Sequence, residues 1–187
     1  MRDYTFDALY DRLGYVTQKA VLFSGTVQDN IFFGQSEAVD TDETLQQALQ
    51  LSQAAEFVDR YPEKAAHPIA QLGRNVSGGQ KQRLSIARAL ARRPEILIFD
   101  DSFSALDYKT DATLREGLAK QLPGTTKIIV AQRISTIRHA DQILVLDRGE
   151  IAGLGTHDAL MASCPVYREI AMSQLSEEEL KKGGASK

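Results

Sequence analysis

The amino-acid sequence predicts an α/β fold built on a mostly parallel sheet. Apolar, strand-like runs recur at 13–18 (LGYVTQ), 96–101 (ILIFDD) and 127–131 (KIIVA), with helix-like segments between them. Strands that alternate with helices are typical of parallel sheets, because a parallel connection needs a crossover. The run ILIF is continuously apolar, which favours a strand buried on both faces. Asp100 and Asp101 follow it at the end where open α/β sheets bind ligands.

The composition is that of an ordinary globular domain. The chain has 187 residues, of which 43% are hydrophobic and 25% charged, and its net charge is -3. This length is enough for one domain with a core, and the charge gives no electrostatic reason to expect a nucleic-acid partner. A single cysteine, Cys164, excludes an internal disulfide. We expect neither a membrane span, which needs ~18 apolar residues, nor a signal peptide.

The segment after the first strand is expected to be irregular and then helical. A stretch punctuated by glycines occupies 21–34 (VLFSGTVQDNIFFG). Asp40 and Glu43 form a pattern like a capping box, which predicts a helix running to about Phe57. Because residues 30–92 contain no convincing strand, we predict that they form largely a helical subdomain inserted into the fold.

Two more helices are predicted to flank the ILIFDD strand. The first begins near Ser77 and ends before Pro94, since proline disfavours a helical conformation in the residue before it. The second runs from about Tyr108 to Leu122, with leucines spaced for one face.

The last third of the sequence predicts a strand pair followed by helical pieces. The runs at 143–147 (ILVLD) and 150–155 (EIAGLG) are expected to pair around Arg148 and Gly149. Helical segments should follow from Thr156. The polar tail, residues 175–187, is predicted to fray.

Residues 75–90 (NVSGGQKQRLSIARAL) carry the strongest chemical signal. Neighbouring glycines let a backbone approach a phosphate closely, and the N–H groups at a helix N-terminus favour negative charge. Ser77 adds a hydroxyl and Gln80 an amide. Alone, the motif could also be a Ser-capped helix after a Gly-Gly turn. Its place before a helix, a proline and ILIFDD favours an anion site.

Together these motifs resemble the ATP-binding cassette (ABC) family. VSGGQ resembles the signature motif of the family, ILIFD its Walker B strand and SALD its D-loop. Gln18 resembles the Q-loop glutamine, and IIVAQRIST resembles the switch strand and loop. The resemblance implies that residues 1–174 are part of a nucleotide-binding domain with the sheet of the P-loop NTPases, and that 19–34 faces the coupling helices of a transmembrane domain.

The resemblance also implies a role for each site residue, with ATP and Mg²⁺ as cofactors. Asp100 would orient Mg²⁺, usually through water, and Gln18 would approach the same ion. Asp107 would act across a dimer interface. Without the resemblance, Asp100 could simply cap the following turn and Asp107 the next helix. The residues implied to contact the γ-phosphate of ATP held by an opposite subunit are Ser77, Gly78, Gly79 and Gln80.

Two positions depart from the family pattern. Asp101 stands where the family usually has a glutamate that acts as the general base or positions water. Aspartate is one methylene shorter, and misplacing a catalytic group by ~1 Å can slow a reaction roughly a hundredfold. Gln132 replaces the usual switch histidine and cannot carry a proton as an imidazolium. Both changes indicate a degenerate site, as in one subunit of heterodimeric ABC exporters, whose partner keeps the glutamate and histidine but has a damaged signature.

A third departure concerns the phosphate loop. None of the 13 glycines is followed by lysine, so the sequence lacks the GK[ST] loop that cradles nucleotide phosphates. In the family this loop precedes the Q-loop. We therefore expect the chain to be the C-terminal portion of the domain, N-terminally truncated, with Met1 an internal methionine.

The leading functional hypothesis is the C-terminal part of the ATPase domain of an ABC exporter half-transporter. Its expected partners are a second half-transporter and the coupling helices, at the cytoplasmic face of the cell membrane, while the fragment itself is expected to be soluble and inactive alone. One alternative is a non-catalytic interaction fragment that docks on a partner cassette. Another is a soluble ABC ATPase of DNA maintenance, which the exporter-like stretch 19–34 and the lack of coiled-coil heptads disfavour.

Overall fold

The computed structural model describes residues 4–34 and 41–175. The chain divides into two compact units, Met1–Val130 and Ala131–Lys187. The elements of the first unit are α1 (Phe6–Tyr10), β1 (Leu13–Val16), β2 (Gly25–Thr26), α2 (Val27–Ile31), α3 (Asp42–Leu51), α4 (Ala55–Val58), β3 (Pro68–Ile69), α5 (Gly78–Ala91), β4 (Ile96–Asp100), α6 (Tyr108–Gln121) and β5 (Thr126–Val130). Those of the second unit are α7 (Ile134–Ile137), β6 (Ile143–Asp147), β7 (Glu150–Gly155), α8 (His157–Ser163) and α9 (Pro165–Gln174).

The predicted parallel sheet is present in the first unit. Its three strands lie in the order β1-β4-β5, and both pairings are parallel. The predicted α/β class is therefore confirmed. Burial on both faces of β4 was wrong: Leu97 and Phe99 are fully buried, but Ile98 on the opposite face is only partly covered. Its neighbours across the strands on that face, Tyr15 and Ile128, are themselves half exposed.

The helix predicted to open with Asp40 differs at both ends. Asp40 lies outside the described residues, and the N-cap is Thr41, whose side chain accepts a hydrogen bond from the Thr44 N–H. The helix ends at Leu51 instead of Phe57. Gln53 has a φ of 60°, in the left-handed region, which cannot continue a right-handed helix. A separate short helix, α4, then begins.

The helices on either side of β4 agree with their predictions. Ser77 caps α5, which ends three residues before Pro94. Asp107 caps α6, and the leucines Leu114 and Leu118 on its apolar side are buried, as is Asp111. Both helices therefore start where a side-chain oxygen satisfies otherwise unpaired N–H groups.

The region predicted as a helical subdomain contains α3, α4 and α5. It also contains β3, which pairs with β2 in antiparallel fashion over two residues, so the expectation of no strand was wrong at that point. The boundaries of the subdomain, 30–92, and of the partial domain, 1–174, stay predictions.

The second unit is built on the predicted strand pair. β6 and β7 are antiparallel, and their turn holds Arg148 and Gly149, both with positive φ. Thr156 caps α8 as expected. Residues 176–187, most of the tail predicted to fray, lie outside the described residues. The buried cluster of this unit contains Ile134, Ile143, Val145, Leu160, Cys164, Tyr167, Ala171 and Leu175.

Across the described ranges, every helix is too short or too polar to traverse a lipid bilayer.

Candidate functional site

The side chain of Gln18 contacts Asp101, the second carboxylate after β4. Nε2 of Gln18 donates a 3.2 Å hydrogen bond to Oδ2 of Asp101. Gln18 lies two residues beyond β1, whose last residue, Val16, pairs with Phe99 of β4. Because these strands are parallel neighbours, their carboxyl ends meet at one edge of the sheet and bring the two side chains together.

Asp100, the first carboxylate, is held by a residue that the sequence did not single out. The phenol of Tyr15 donates a 2.9 Å hydrogen bond to Oδ2 of Asp100. This hydrogen bond raises the pKa of Tyr15 above its ordinary value, because the adjacent negative charge disfavours the phenolate. The register pairs Tyr15 with Ile98, two residues before Asp100 and on the same face. Alternation along two adjacent strands could therefore have identified this contact.

Asp101 occupies a constrained backbone position. Its φ is 45°, in the left-handed region, where aspartate and asparagine are tolerated better than most residues. Its N–H donates to the carbonyl of Val130 at 2.9 Å, and its carbonyl accepts from the Ser104 hydroxyl at 2.7 Å. The residue is buried. Main-chain bonds on both sides therefore fix the direction in which the Asp101 carboxylate leaves the backbone.

A buried glutamine joins the Gln18 segment to α5. Gln82 is 2% exposed, and its Nε2 donates to the carbonyl of Thr17 at 3.2 Å. The hydroxyl of Thr17 donates to the carbonyl of Lys19 at 2.8 Å, so the backbone on both sides of Gln18 is engaged. Gln82 was not among the residues predicted from the sequence. A polar residue among the buried positions of a helix was the available signal, since such groups need partners.

The N-terminus of α5 is a capped and accessible helix end. Ser77 and Gln80 form a capping box: the Gln80 N–H donates to Ser77 Oγ, and the Ser77 N–H donates to Gln80 Oε1. Ser77 and Gly78 are exposed, and a Cβ on Gly78 would meet no atom within 4 Å. A Cβ on Gly79 would lie 3.5 Å from the carbonyl oxygen of Ala105. The structure therefore places SGGQ beside SALD.

Asp107 has a local structural role that is visible in its contacts. Its two carboxylate oxygens accept from the N–H and the hydroxyl of Thr110, at 2.9 and 2.7 Å. These hydrogen bonds lower the pKa of Asp107, because they stabilise the charged form. The alternative reading, in which Asp107 caps α6, is therefore confirmed. Capping the helix is compatible with an additional role of Asp107 at a dimer interface.

The donor atoms at the sheet edge suit Mg²⁺. This ion prefers oxygen ligands and is usually held by one or two carboxylates, with water and phosphate oxygens completing its shell. Within residues 4–34 and 41–175, Oδ1 of Asp100 and Oε1 of Gln18 have no hydrogen-bond partner. The same ranges contain no group of three or more His, Cys, Asp or Glu that could hold a metal by itself. A nucleotide would have to supply further ligands.

Gln132 belongs to the second unit. Its carbonyl accepts a 2.8 Å hydrogen bond from Nε2 of Gln174, whose Oε1 accepts from the Ile134 N–H. Gln174 of α9 thus binds the backbone at Gln132 and at the first residue of α7.

The structure brings Gln18, Asp100 and Asp101 together in the first unit, with the SGGQ and SALD segments adjacent to each other.

The glycine-punctuated stretch 21–34 exposes an aromatic pair. Phe23 and Phe33 stack with ring centroids 4.2 Å apart, and both are about half exposed. The guanidinium of Arg88 lies over both rings, at 5.4 and 5.9 Å. The stretch therefore carries an accessible apolar surface that α5 supports through a cation–π contact.

Comparisons with known proteins agree with these motifs. The family model described as ABC transporter matches residues 1–104. An uncharacterized ABC transporter ATP-binding protein of Mycobacterium tuberculosis is 46% identical over 175 residues, which cover 93% of this chain and 30% of that protein. Human ATP-binding cassette sub-family B member 5 is 42% identical over 164 residues, 88% of this chain and 13% of that protein.

A solved structure has the same fold. A bacterial Atm1-family ABC exporter with ATP bound superposes with a TM-score of 0.88 at 35% identity, over 95% of this chain and 31% of the exporter chain. The chain thus spans about 30% of the length of these two bacterial proteins.

Proposed function

Because the chain belongs to the ABC transporter family, we propose that it forms part of the ATP-binding domain of an exporter half-transporter. In this proposal a second nucleotide-binding domain and the coupling helices of a transmembrane domain are its partners, and ATP with Mg²⁺ its ligands. The assembled transporter would work at the cytoplasmic face of the cell membrane. The exporter superposition and the relatives named as ABC transporter ATP-binding proteins support this assignment.

The accessible N-terminus of α5 is the observation that carries the proposal. Ser77 and Gln80 already satisfy each other, so the capping box holds the helix end in shape without a ligand. Gly78 leaves open space above the backbone. The first N–H groups and dipole of a 14-residue helix favour an anion at this place. We assign it to the γ-phosphate of ATP held by the partner cassette, with Gly79 and Asp107 at the same interface.

The chain's own nucleotide site is proposed to be degenerate. Asp100 and Gln18 offer oxygen atoms suited to Mg²⁺, so binding of a metal–nucleotide complex is compatible with the donor set. Asp101 is shorter than glutamate by one methylene, and its carboxylate already accepts from Gln18. At the position where the resemblance implies a switch histidine, the sequence has Gln132, which cannot carry a proton as an imidazolium. We therefore propose that hydrolysis takes place at the partner's site, which this chain completes with SGGQ.

Segment 19–34, which contains the stretch 21–34, is the proposed contact with the coupling helices. Its exposed Phe23 and Phe33 give an apolar surface of the kind that receives an amphipathic helix. Arg88 joins this surface to α5. Movement of a coupling helix could therefore be transmitted to the helix whose other end carries Ser77.

Nucleotide-dependent association tests the proposal. The chain is presented to an immobilised partner cassette that has a phosphate loop, with and without Mg-ATP. We expect ATP to increase capture of the wild-type chain and not of Gly78→Asp, which places a carboxylate at the anion site. Gly124→Asp is the matched control, because its glycine is also exposed and open. Equal capture of Gly78→Asp and Gly124→Asp would overturn the proposal.

A further inference from the structure

We propose that Asp101 is a positioning residue, whose carboxylate orients the Gln18 amide and leaves the amide oxygen available as a ligand for Mg²⁺. The proposal rests on the function proposed above, because it concerns the chain's own Mg-nucleotide site. Asp101 stands where the family usually has a glutamate, and this proposal gives it a different role at the same site. Asp101 would act through Gln18, and not on the reacting phosphate.

The chemistry of the two side chains fixes the direction of their hydrogen bond. An ionised carboxylate can only accept hydrogen bonds, whereas an amide has one face that donates and one that accepts. The contact between Gln18 and Asp101 therefore requires the NH₂ group to face Asp101. The amide oxygen then points away from the carboxylate. In the described part of the chain it has no hydrogen-bond partner.

Both ends of this contact are anchored. On one side, Gln82 binds the carbonyl of Thr17, and the Thr17 hydroxyl bridges to Lys19. On the other side, the backbone of Asp101 is bound on its N–H and its carbonyl. The main freedom left to Gln18 is rotation within its side chain, including the exchange of amide oxygen and nitrogen. The Asp101 carboxylate removes that freedom.

The backbone conformation of Asp101 determines which substitutions can test this role. At a φ of 45°, asparagine and glycine both fit, whereas most other residues are strained. Asp101→Asn keeps an oxygen that can accept from Gln18. Asp101→Gly removes the acceptor without straining the backbone. The two variants thus separate loss of the hydrogen bond from loss of local structure.

The measurement is the metal concentration that half-saturates this chain's nucleotide site in the assembled transporter. Mn²⁺ replaces Mg²⁺, and bound metal is followed by electron paramagnetic resonance with ATP present. Groups that orient metal ligands typically change metal affinity about 10- to 100-fold when removed. We expect Asp101→Gly to raise the half-saturating Mn²⁺ concentration at least ~10-fold. Asp101→Asn should stay within about threefold of wild type, since it retains an acceptor.

A double variant tests whether Asp101 acts through Gln18. In a Gln18→Ala background, Asp101→Gly should change the metal dependence no further, because the group it orients is gone. Additive effects would overturn the proposal, as would a Gly variant that binds Mn²⁺ like wild type. An Asn variant as weak as the Gly variant would also overturn it, because charge would then be the cause. Failure of the proposed function is recognised separately: the wild-type site would then retain no metal–nucleotide complex.

Discussion

Arg88 donates to both oxygen atoms of Asn30, from Nε to the carbonyl at 2.7 Å and from Nη2 to Oδ1 at 3.0 Å. Its third nitrogen, Nη1, donates to the carbonyl of Val21 at 3.0 Å. Asn30 is itself buried. One guanidinium on α5 therefore binds at two points of stretch 21–34, within the proposed contact with the coupling helices.

Arg88→Lys should destabilise the first unit. A lysine ammonium is a single point charge and cannot reproduce the planar set of donors that meets these acceptors. Loss of one hydrogen bond to a charged group costs roughly 1.5–3 kcal/mol, and the urea midpoint of unfolding should fall accordingly. Arg92→Lys is the control, because among residues 4–34 and 41–175 Arg92 makes one hydrogen bond, an exposed one to the carbonyl of Gly34. Similar losses in both variants would contradict this role of Arg88.

The isolated chain should self-associate through its sheet. Ile128 and Val130 of β5 are half exposed, and in the described sheet β5 has β4 as its only neighbour. Exposed apolar edge strands pair readily with other chains. Sedimentation velocity should show oligomers that Ile128→Lys reduces, whereas Met172→Lys on α9 should not. A monodisperse wild-type monomer would refute this prediction.

His157 should make the second unit less stable as the pH falls. It is buried beside Tyr167, whose hydroxyl lies 2.8 Å from Nδ1. Burial, together with the positive charge of Arg138, lowers the pKa of His157 below its ordinary value. The unfolded chain therefore takes up the proton first, near pH ~6.5, and stability drops below that pH. The groups around it also include Asp158, whose charge opposes this shift.

The test of that pH dependence is the urea midpoint between pH 7.5 and pH 5.5. His157→Gln should flatten the slope, because no imidazole remains to titrate. His139→Gln, at an exposed position nearby, should keep most of it. An unchanged slope in His157→Gln would show that another group is responsible.

The isolated chain should not bind ATP with micromolar affinity. The sequence has no GK[ST] loop, so the backbone donors and lysine that hold the β- and γ-phosphates are lacking. Calorimetric titration with Mg-ATP should give no binding isotherm, whereas an exporter cassette that contains the loop should give one. Micromolar binding at unit stoichiometry would contradict the prediction.

The sequence was most informative where one residue decides a local structure. Ser77 and Asp107 mark helix starts because only a few side chains can satisfy the first N–H groups of a helix. The helix predicted to reach Phe57 ends early because Gln53 has a positive φ. A glutamine in the sequence does not indicate that conformation. Glycine or asparagine is the usual signal for that conformation.

The sequence motifs pointed to individual candidate residues, but not to the contacts between them. Motifs identified Gln18, Asp100 and Asp101 separately. The hydrogen bonds from Tyr15 and Gln82 depend on the pairing of β1 with β4 and on the packing of α5, and no single segment contains that information. The burial of β4 was overestimated for a similar reason: an apolar strand does not reveal whether a second layer covers its other face.

In the proposed function, ATP hydrolysis depends on the signature of this chain and not on its own carboxylate. The steady-state ATPase rate of the assembled transporter at saturating ATP tests this dependence. Asp101→Asn should leave the rate within about twofold, because Asp101 belongs to the degenerate site. Gly78→Asp should lower it by well over tenfold, since each ~1.4 kcal/mol of lost transition-state stabilisation is tenfold in rate. Gly124→Asp should behave as wild type. If Asp101→Asn abolishes turnover and Gly78→Asp does not, the working site belongs to this chain and the claim is wrong.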